Sequence, residues 1–163
     1  MKTEGFVEFR KVSDLFLNCS YVPNERGNYL VLYLNGNRPE FVPKGVGGFF
    51  KGKNPNVSIA ELLSSWVDGT IVIYIGQAGG VRAGKWSSQT LNDRISTYMK
   101  FGQGKDVGHF GGRYIWQIRD YRDLVLCWRP WPNKIRNPKQ VEGELIPEFR
   151  SVYGKRPFAN LQD

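Results

Sequence analysis

The 163-residue sequence predicts a single domain of mixed α/β (α+β) class, a small, mainly antiparallel sheet flanked by helices. Three observations carry this. Apolar runs of strand length, such as "NYLVLYLN" and "IVIYI", alternate with amphipathic stretches of helical period. Capping signals bracket those stretches, and glycine-rich loops without periodicity separate them. No internal repeat or low-complexity tract competes with this organisation.

Asn28 to Asn35 form the first clear strand, and Asn35-Gly36 is a hairpin-turn signal that places a partner strand near Glu40 to Val42. "PKGVGGFFKGKNPN" reads as an exposed loop. "SIAELLSSWVDG" is a short helix with Ser58 and Glu61 in capping-box spacing and Asp68-Gly69 as its stop. The strand "IVIYIG" follows, then the loop "QAGGVRAGKWSS". "TLNDRISTYMKFG" is a helix opened by a Thr90/Asp93 capping box and ended by Gly102, with Leu91, Ile95, Tyr98 and Met99 as its apolar stripe. Arg94 and Tyr98 are i, i+4 neighbours on it, so their tips can reach one place. After the glycine-rich "KDVGHFGG", the runs "RYIWQI" and "DLVLCW" are expected to pair through a turn at "RDYR". The last helix starts at Asn137-Pro138 and runs toward Tyr153-Gly154, with a kink expected where Pro147 meets the carbonyl of Gly143.

Composition narrows the function. Twenty-three Lys+Arg against 15 Asp+Glu give a net charge of +8 and a pI near 9.6, which favours a polyanionic partner. In "CWRPWPNKIRNPK", Trp128 and Trp131 sit among Arg129, Lys134, Arg136 and Lys139, a mixture that suits phosphate contact with base or sugar packing and equally a solvated loop with both tryptophans tucked into the core. Cys19 and Cys127 have neither disulfide-framework nor zinc-ligand spacing, and read as buried thiols in a reducing compartment. Glu4, Glu8 and Asp14 interrupt any secretory apolar region, and no run reaches membrane-spanning length. A cytoplasmic protein without a membrane partner is the expectation. The glycine-rich loops lack both a P-loop and a GxGxxG between strand and helix, which argues against nucleotide binding.

Five features occur in a telling order: Gly27 and Tyr29 in "GNYLVLY", Tyr74, Ile75 and Gly76 in "YIG", Arg94 in "LNDRISTY", Glu142 in "VEGELI", and Pro157 and Asn160 in "RPFAN". Singly each is common. Together, on strand, strand, helix, helix and tail, they resemble the GIY-YIG nuclease family from Gly27 to Asn160. The resemblance implies a three-stranded central sheet and a metal-dependent DNA endonuclease, of a stand-alone restriction or mobile-element type. RNA as substrate stays open.

The resemblance also implies roles. Glu142 would hold a single divalent ion, Mg²⁺ or Mn²⁺, with waters completing its coordination. Glu144 is the competing carboxylate, and the Leu145-Ile146 spacing favours Glu142. Arg94 would bind the scissile phosphate through its planar fork. Tyr29 and Tyr74 would orient or deprotonate the attacking water, and Asn160 would fix the geometry around them. Gly27 and Gly76 are the backbone positions of the two motifs.

The chain departs from the family pattern at three points. The family places its two motifs close together on neighbouring strands, whereas 47 positions separate Gly27 from Tyr74 here. Residues 36–69 would therefore be an insertion. Asn28 replaces an aliphatic residue, and Tyr98 stands where many members have histidine. His109, the only histidine, could contribute instead, so the general base stays open between them. No separate DNA-binding domain is expected. Recognition would fall to the insertion at 36–69 with Lys44, Lys51 and Lys53, the loop at 77–88 with Arg82 and Lys85, the loop at 102–112 with Lys105, or a homodimer. The rival expectation is a nucleic-acid-binding module that keeps the fold without catalysis.

Overall fold

The computed structural model describes residues 5–162, and Glu4 lies outside them. Its centre is a four-stranded antiparallel sheet in the order β1-β6-β2-β3, formed by β1 (Val7–Lys11), β2 (Gly27–Leu32), β3 (Val72–Ala78) and β6 (Val125–Pro130). The expected three strands are corrected to four. The fourth is β1, whose exposed residues give too little hydrophobic alternation to announce a strand.

β2 is buried along its whole length because β6 and β3 pair on its two sides and helices cover both faces. On one face Tyr29, Val31, Leu126 and Trp128 pack with Leu15 of α1 (Val12–Leu17) and with Leu91, Ile95 and Met99 of α3 (Leu91–Gly102). On the other face Leu30, Leu32, Ile75 and Cys127 pack against Phe6 and against Ile146 and Phe149 of α4 (Pro138–Tyr153). The β2–β3 register shifts between Val31, opposite Tyr74, and Leu32, opposite Val72. Ile73 is thus the extra residue of a bulge, and it joins Tyr74 in one cluster although the two are sequence neighbours.

The two motif strands are direct neighbours despite the long segment between them. That segment does not return as a hairpin after Asn35-Gly36, as the turn signal suggests. Asn35 Nδ2 donates instead to Asp120 Oδ2 at 2.7 Å, and Phe41 makes only an isolated bridge to Ile118. The segment then carries a short 3₁₀ turn at Phe50–Gly52 and α2 (Ile59–Ser65). Buried Gln117 pins it: Nε2 donates to the carbonyls of Val42 and Val57 at 3.0 Å each, and Oε1 accepts from Val57 N at 2.8 Å. For the same reason "RYIWQI" is not a strand. Phe110–Gln117 wind as 3₁₀ turns with Tyr114, Ile115, Trp116 and Gln117 all buried, a pattern that periodicity cannot separate from a core strand in so short a run.

Helix starts follow the capping signals. Thr90 and Asp93 form both arms of their capping box, whereas at α2 only Ser58 caps, because the Glu61 carboxylate accepts from the Tyr114 hydroxyl. α4 starts on the Asn137 cap, runs as one helix through the solvent-facing Pro147, and ends at Gly154 in the left-handed conformation. The loop at 77–88 is not irregular: β4 (Val81–Arg82) and β5 (Lys85–Trp86) pair as a small ribbon across Ala83 and Gly84. Among the described residues no helix is long and apolar enough to cross a membrane.

Candidate active site

The site is built on β3, an edge strand, which lets groups from helices on both faces meet around its rim. Tyr29 lies opposite Gly76 in the β2–β3 ladder. A Cβ at Gly76 would sit 2.4 Å from Tyr29 Cζ and 2.6 Å from its hydroxyl, so the glycine is what lets the phenol lie across the strand. Gly27 is equally constrained, since a Cβ there would come within 2.4 Å of the Arg129 carbonyl oxygen and 2.6 Å of Leu91 Cδ1. Both motif glycines thus have a packing reason.

Around them four rings form a nest. Tyr29 and Tyr74 have ring centroids 5.9 Å apart, Tyr74 and Tyr98 also 5.9 Å, and the His109 imidazole stacks on Tyr98 at 3.9 Å. His109 is buried, and its Nε2 is 3.1 Å from the Tyr29 hydroxyl. Its Nδ1 has no partner among the described residues. Burial, reinforced by the Arg94 charge, holds its pKa well below the usual histidine value, so the ring is neutral. The Tyr98 hydroxyl donates to the Gly112 carbonyl at 3.1 Å, which leaves this tyrosine as the floor on which His109 rests.

Arg94 enters from α3 beside the phenols of Tyr29 and Tyr74. Burial works against its charge, but the two phenols more than offset it, and the guanidinium stays protonated. Its Nε is buried and unpartnered among the described residues. Burial raises the pKa of both tyrosines, that of Tyr29 strongly, while Arg94 opposes the rise. Among the described residues the Tyr29 hydroxyl has one hydrogen-bond partner, His109 Nε2, and Tyr74 meets Tyr29 through its ring.

Glu142 approaches from α4 and lines, with Tyr74 and Asn160, an open groove of about 1090 Å³. Burial pushes its carboxyl up to about 7 against the pull of Arg94, Arg82 and Lys139. No side chain among the described residues gives it a hydrogen bond or ion pair, and no group of three or more His, Cys, Asp or Glu converges there. Glu144, the competing carboxylate, is taken by Arg136 and Gln140. Asn160 binds the rim of β3 through both amide atoms: Oδ1 accepts from Ile75 N at 2.9 Å and Nδ2 donates to Ile75 O at 2.8 Å.

No protein-family model matches the chain, and no curated protein or solved structure matches it.

The structure therefore brings Tyr29, Tyr74, Arg94, Tyr98, His109, Glu142 and Asn160 into one region. The six cations expected to bind nucleic acid divide. Arg82 lines a second groove of about 440 Å³ together with Arg94, and Lys85 is its ribbon neighbour. Lys44, Lys51, Lys53 and Lys105 are exposed but line neither groove. The cations that do line the larger groove, Arg113, Arg150, Lys155 and Arg156, were not singled out by sequence reasoning. The run "YGKRP" carried the signal, three residues before Asn160. Asn28, which replaces an aliphatic residue of the family pattern, is fully buried: Nδ2 donates to the Pro138 carbonyl at 2.9 Å, and Oδ1 accepts from Trp131 Nε1 at 2.9 Å. It ties β2 to the first turn of the helix that carries Glu142.

Proposed function

We propose that the protein is a cytoplasmic, divalent-cation-dependent DNA endonuclease of GIY-YIG type. The observation that carries this reading is the convergence on β3, from opposite faces of the sheet, of α3, which brings Arg94 beside the Tyr29–Tyr74 pair, and of α4, which brings Glu142 to the groove that Tyr74 lines. A lone carboxylate without protein partners, facing an open groove, fits a hard cation that keeps most of its water shell, as Mg²⁺ or Mn²⁺ does. When bound at Glu142, such an ion would neutralise charge on the phosphate and acidify a coordinated water.

The chain's own groups supply the rest. Arg94 offers a fixed, partly desolvated charge to the scissile phosphate, where its value exceeds that in water. Tyr74, at the groove, orients the attacking water through its hydroxyl oxygen, and the released proton leaves to bulk water through the open groove. Neutral His109 Nε2 holds the Tyr29 hydroxyl in place. Tyr98 and Asn160 position these groups, through ring stacking and through the Ile75 backbone.

Incubation with supercoiled plasmid, with and without Mg²⁺, tests the reading. Wild type is expected to nick or linearise plasmid only with the metal, and Glu142→Gln is expected to bind DNA without cutting it. Cleavage by Glu142→Gln at the wild-type rate would move the metal site elsewhere. Binding by wild type without cleavage under any divalent ion would leave a binding module.

A further inference from the structure

We propose that the β4–β5 ribbon and the adjoining turn at Pro132–Lys134 form a recognition platform for duplex DNA next to the scissile site. This rests on the endonuclease reading and extends it to the form of the substrate.

The ribbon is two antiparallel strands joined by Ala83 (φ 47°) and Gly84 (φ 74°), and it presents exposed Arg82 and Lys85 on either side of that turn. Beside it, Asn133 (φ 54°) and Lys134 (φ 55°) form a second left-handed turn, built from residues that rarely adopt this conformation. Lys134 joins the two, with Nζ 5.8 Å from the Trp86 ring centre. Arg82, Lys85 and Lys134 form no ion pair among the described residues.

The platform is tied to the site by hydrogen bonds. Asn137 Oδ1 accepts from Val81 N at 3.1 Å and from Lys139 N at 3.1 Å, so one side chain roots the ribbon and caps the helix of Glu142. The smaller groove, lined by Arg82, Ser87 and Arg94 among others, leads from the ribbon to the phosphate-binding arginine.

The shape and chemistry favour duplex DNA over its rivals. A two-stranded ribbon fits the major groove of B-DNA, whereas the corresponding groove of duplex RNA is too narrow for one. Single strands are held by stacking bases on open aromatic faces. Here the ring of Trp86 is approached by Arg26 at 5.5 Å as well as by Lys134, and that of buried Trp131 by Arg129 at 4.2 Å and Arg136 at 5.6 Å. Those rings hold cations in place rather than wait for bases.

The experiment measures affinity against salt for a mixed-sequence DNA duplex, its single strand and the matching RNA duplex. Two triple variants of equal charge change are compared, Arg82→Gln/Lys85→Gln/Lys134→Gln and Lys44→Gln/Lys51→Gln/Lys53→Gln. For the ribbon variant the slope of log affinity against log salt on duplex DNA is expected to shrink by up to about 3, at roughly 0.9 per phosphate contact. The second variant is expected to keep the wild-type slope. Should the ribbon variant melt early, the single changes Arg82→Gln and Lys85→Gln report the same slope in smaller steps. An unchanged slope in the ribbon variant, with wild type still cutting plasmid, overturns the platform alone. So does loss of slope in the second variant only, or tighter wild-type binding to single strand or RNA duplex. A wild type that binds no nucleic acid overturns the endonuclease reading as well.

Discussion

Tyr29 and Gly76 are a matched pair: the phenol occupies the space that any side chain at 76 would need. Gly76→Ala is expected to lower stability by about 1–3 kcal/mol, the usual cost of overpacking a core. Much of that loss should vanish in the double variant with Tyr29→Ala, a coupling that thermal melts can read. Tyr29→Phe and Tyr74→Phe keep the rings and remove the hydroxyls. Each is expected to change stability by about 1 kcal/mol at most, the scale of one hydrogen bond, and at least one to lose plasmid cleavage. Wild-type rates in both would make Tyr74 a packing residue. At this scale the sequence displays which residue types occur but hides their partners. "YIG" is visible as a string, yet only the ladder reveals why its third letter is glycine. Asn28 looks like a mild substitution because nothing local announces that Trp131 and Pro138, more than a hundred residues away, come to its amide.

Elements were legible where their signals are local. The caps at Ser58, Thr90 and Asn137 each sit within three residues of the helix amides they satisfy, and all three helices begin there. The ribbon was not legible, since two-residue strands carry no period and Ala-Gly is a weaker turn signal than Asn-Gly. The 3₁₀ run at 110–117 was misread because burial, not backbone class, set its apolar pattern. Asn137 works for two elements at once. Asn137→Ala is expected to cost about 1 kcal/mol as a lost cap, and to slow cleavage as well, because the ribbon loses its root on the helix of Glu142. Asn137→Asp, which keeps an accepting oxygen, is expected to restore most of both. Full activity in Asn137→Ala, with the stability loss alone, would show that the ribbon's attachment does not matter to the chemistry.

For the whole molecule, the raised carboxyl of Glu142 couples folding to pH. The folded protein holds this proton up to about pH 7, whereas an unperturbed glutamate releases it near 4.5. Between those values the folded state binds more protons than the unfolded state, so this group's contribution to stability falls as pH rises. Glu142→Gln carries no such charge. Its melting temperature relative to wild type is expected to rise across that window, and Mg²⁺ should narrow the gap above pH 7 by stabilising only the wild type. A gap that is constant with pH would mean that the carboxyl is not desolvated in solution. The fold class was legible at this scale because burial patterns sum over many residues, whereas the pairings read from turn signals, of Asn28–Asn35 with Glu40–Val42 and of "RYIWQI" with "DLVLCW", were not. The basic groove was not, since Arg113 and the Arg150–Arg156 stretch meet only in three dimensions.

The side chain of Asn160 does for β3 what a fifth strand would do, giving and taking one hydrogen bond at Ile75, while Ala159 N donates to Ile73 O at 2.9 Å. Sheets left open at such a rim recruit strands from other molecules. Asn160→Leu therefore bares the Ile75 amide and carbonyl on an apolar strand, and at high concentration the variant is expected to assemble through β3. Light scattering that grows with protein concentration, absent from wild type, would show it. One amide both steadies the rim on which the chemistry depends and keeps each copy of the protein from becoming a template for the next.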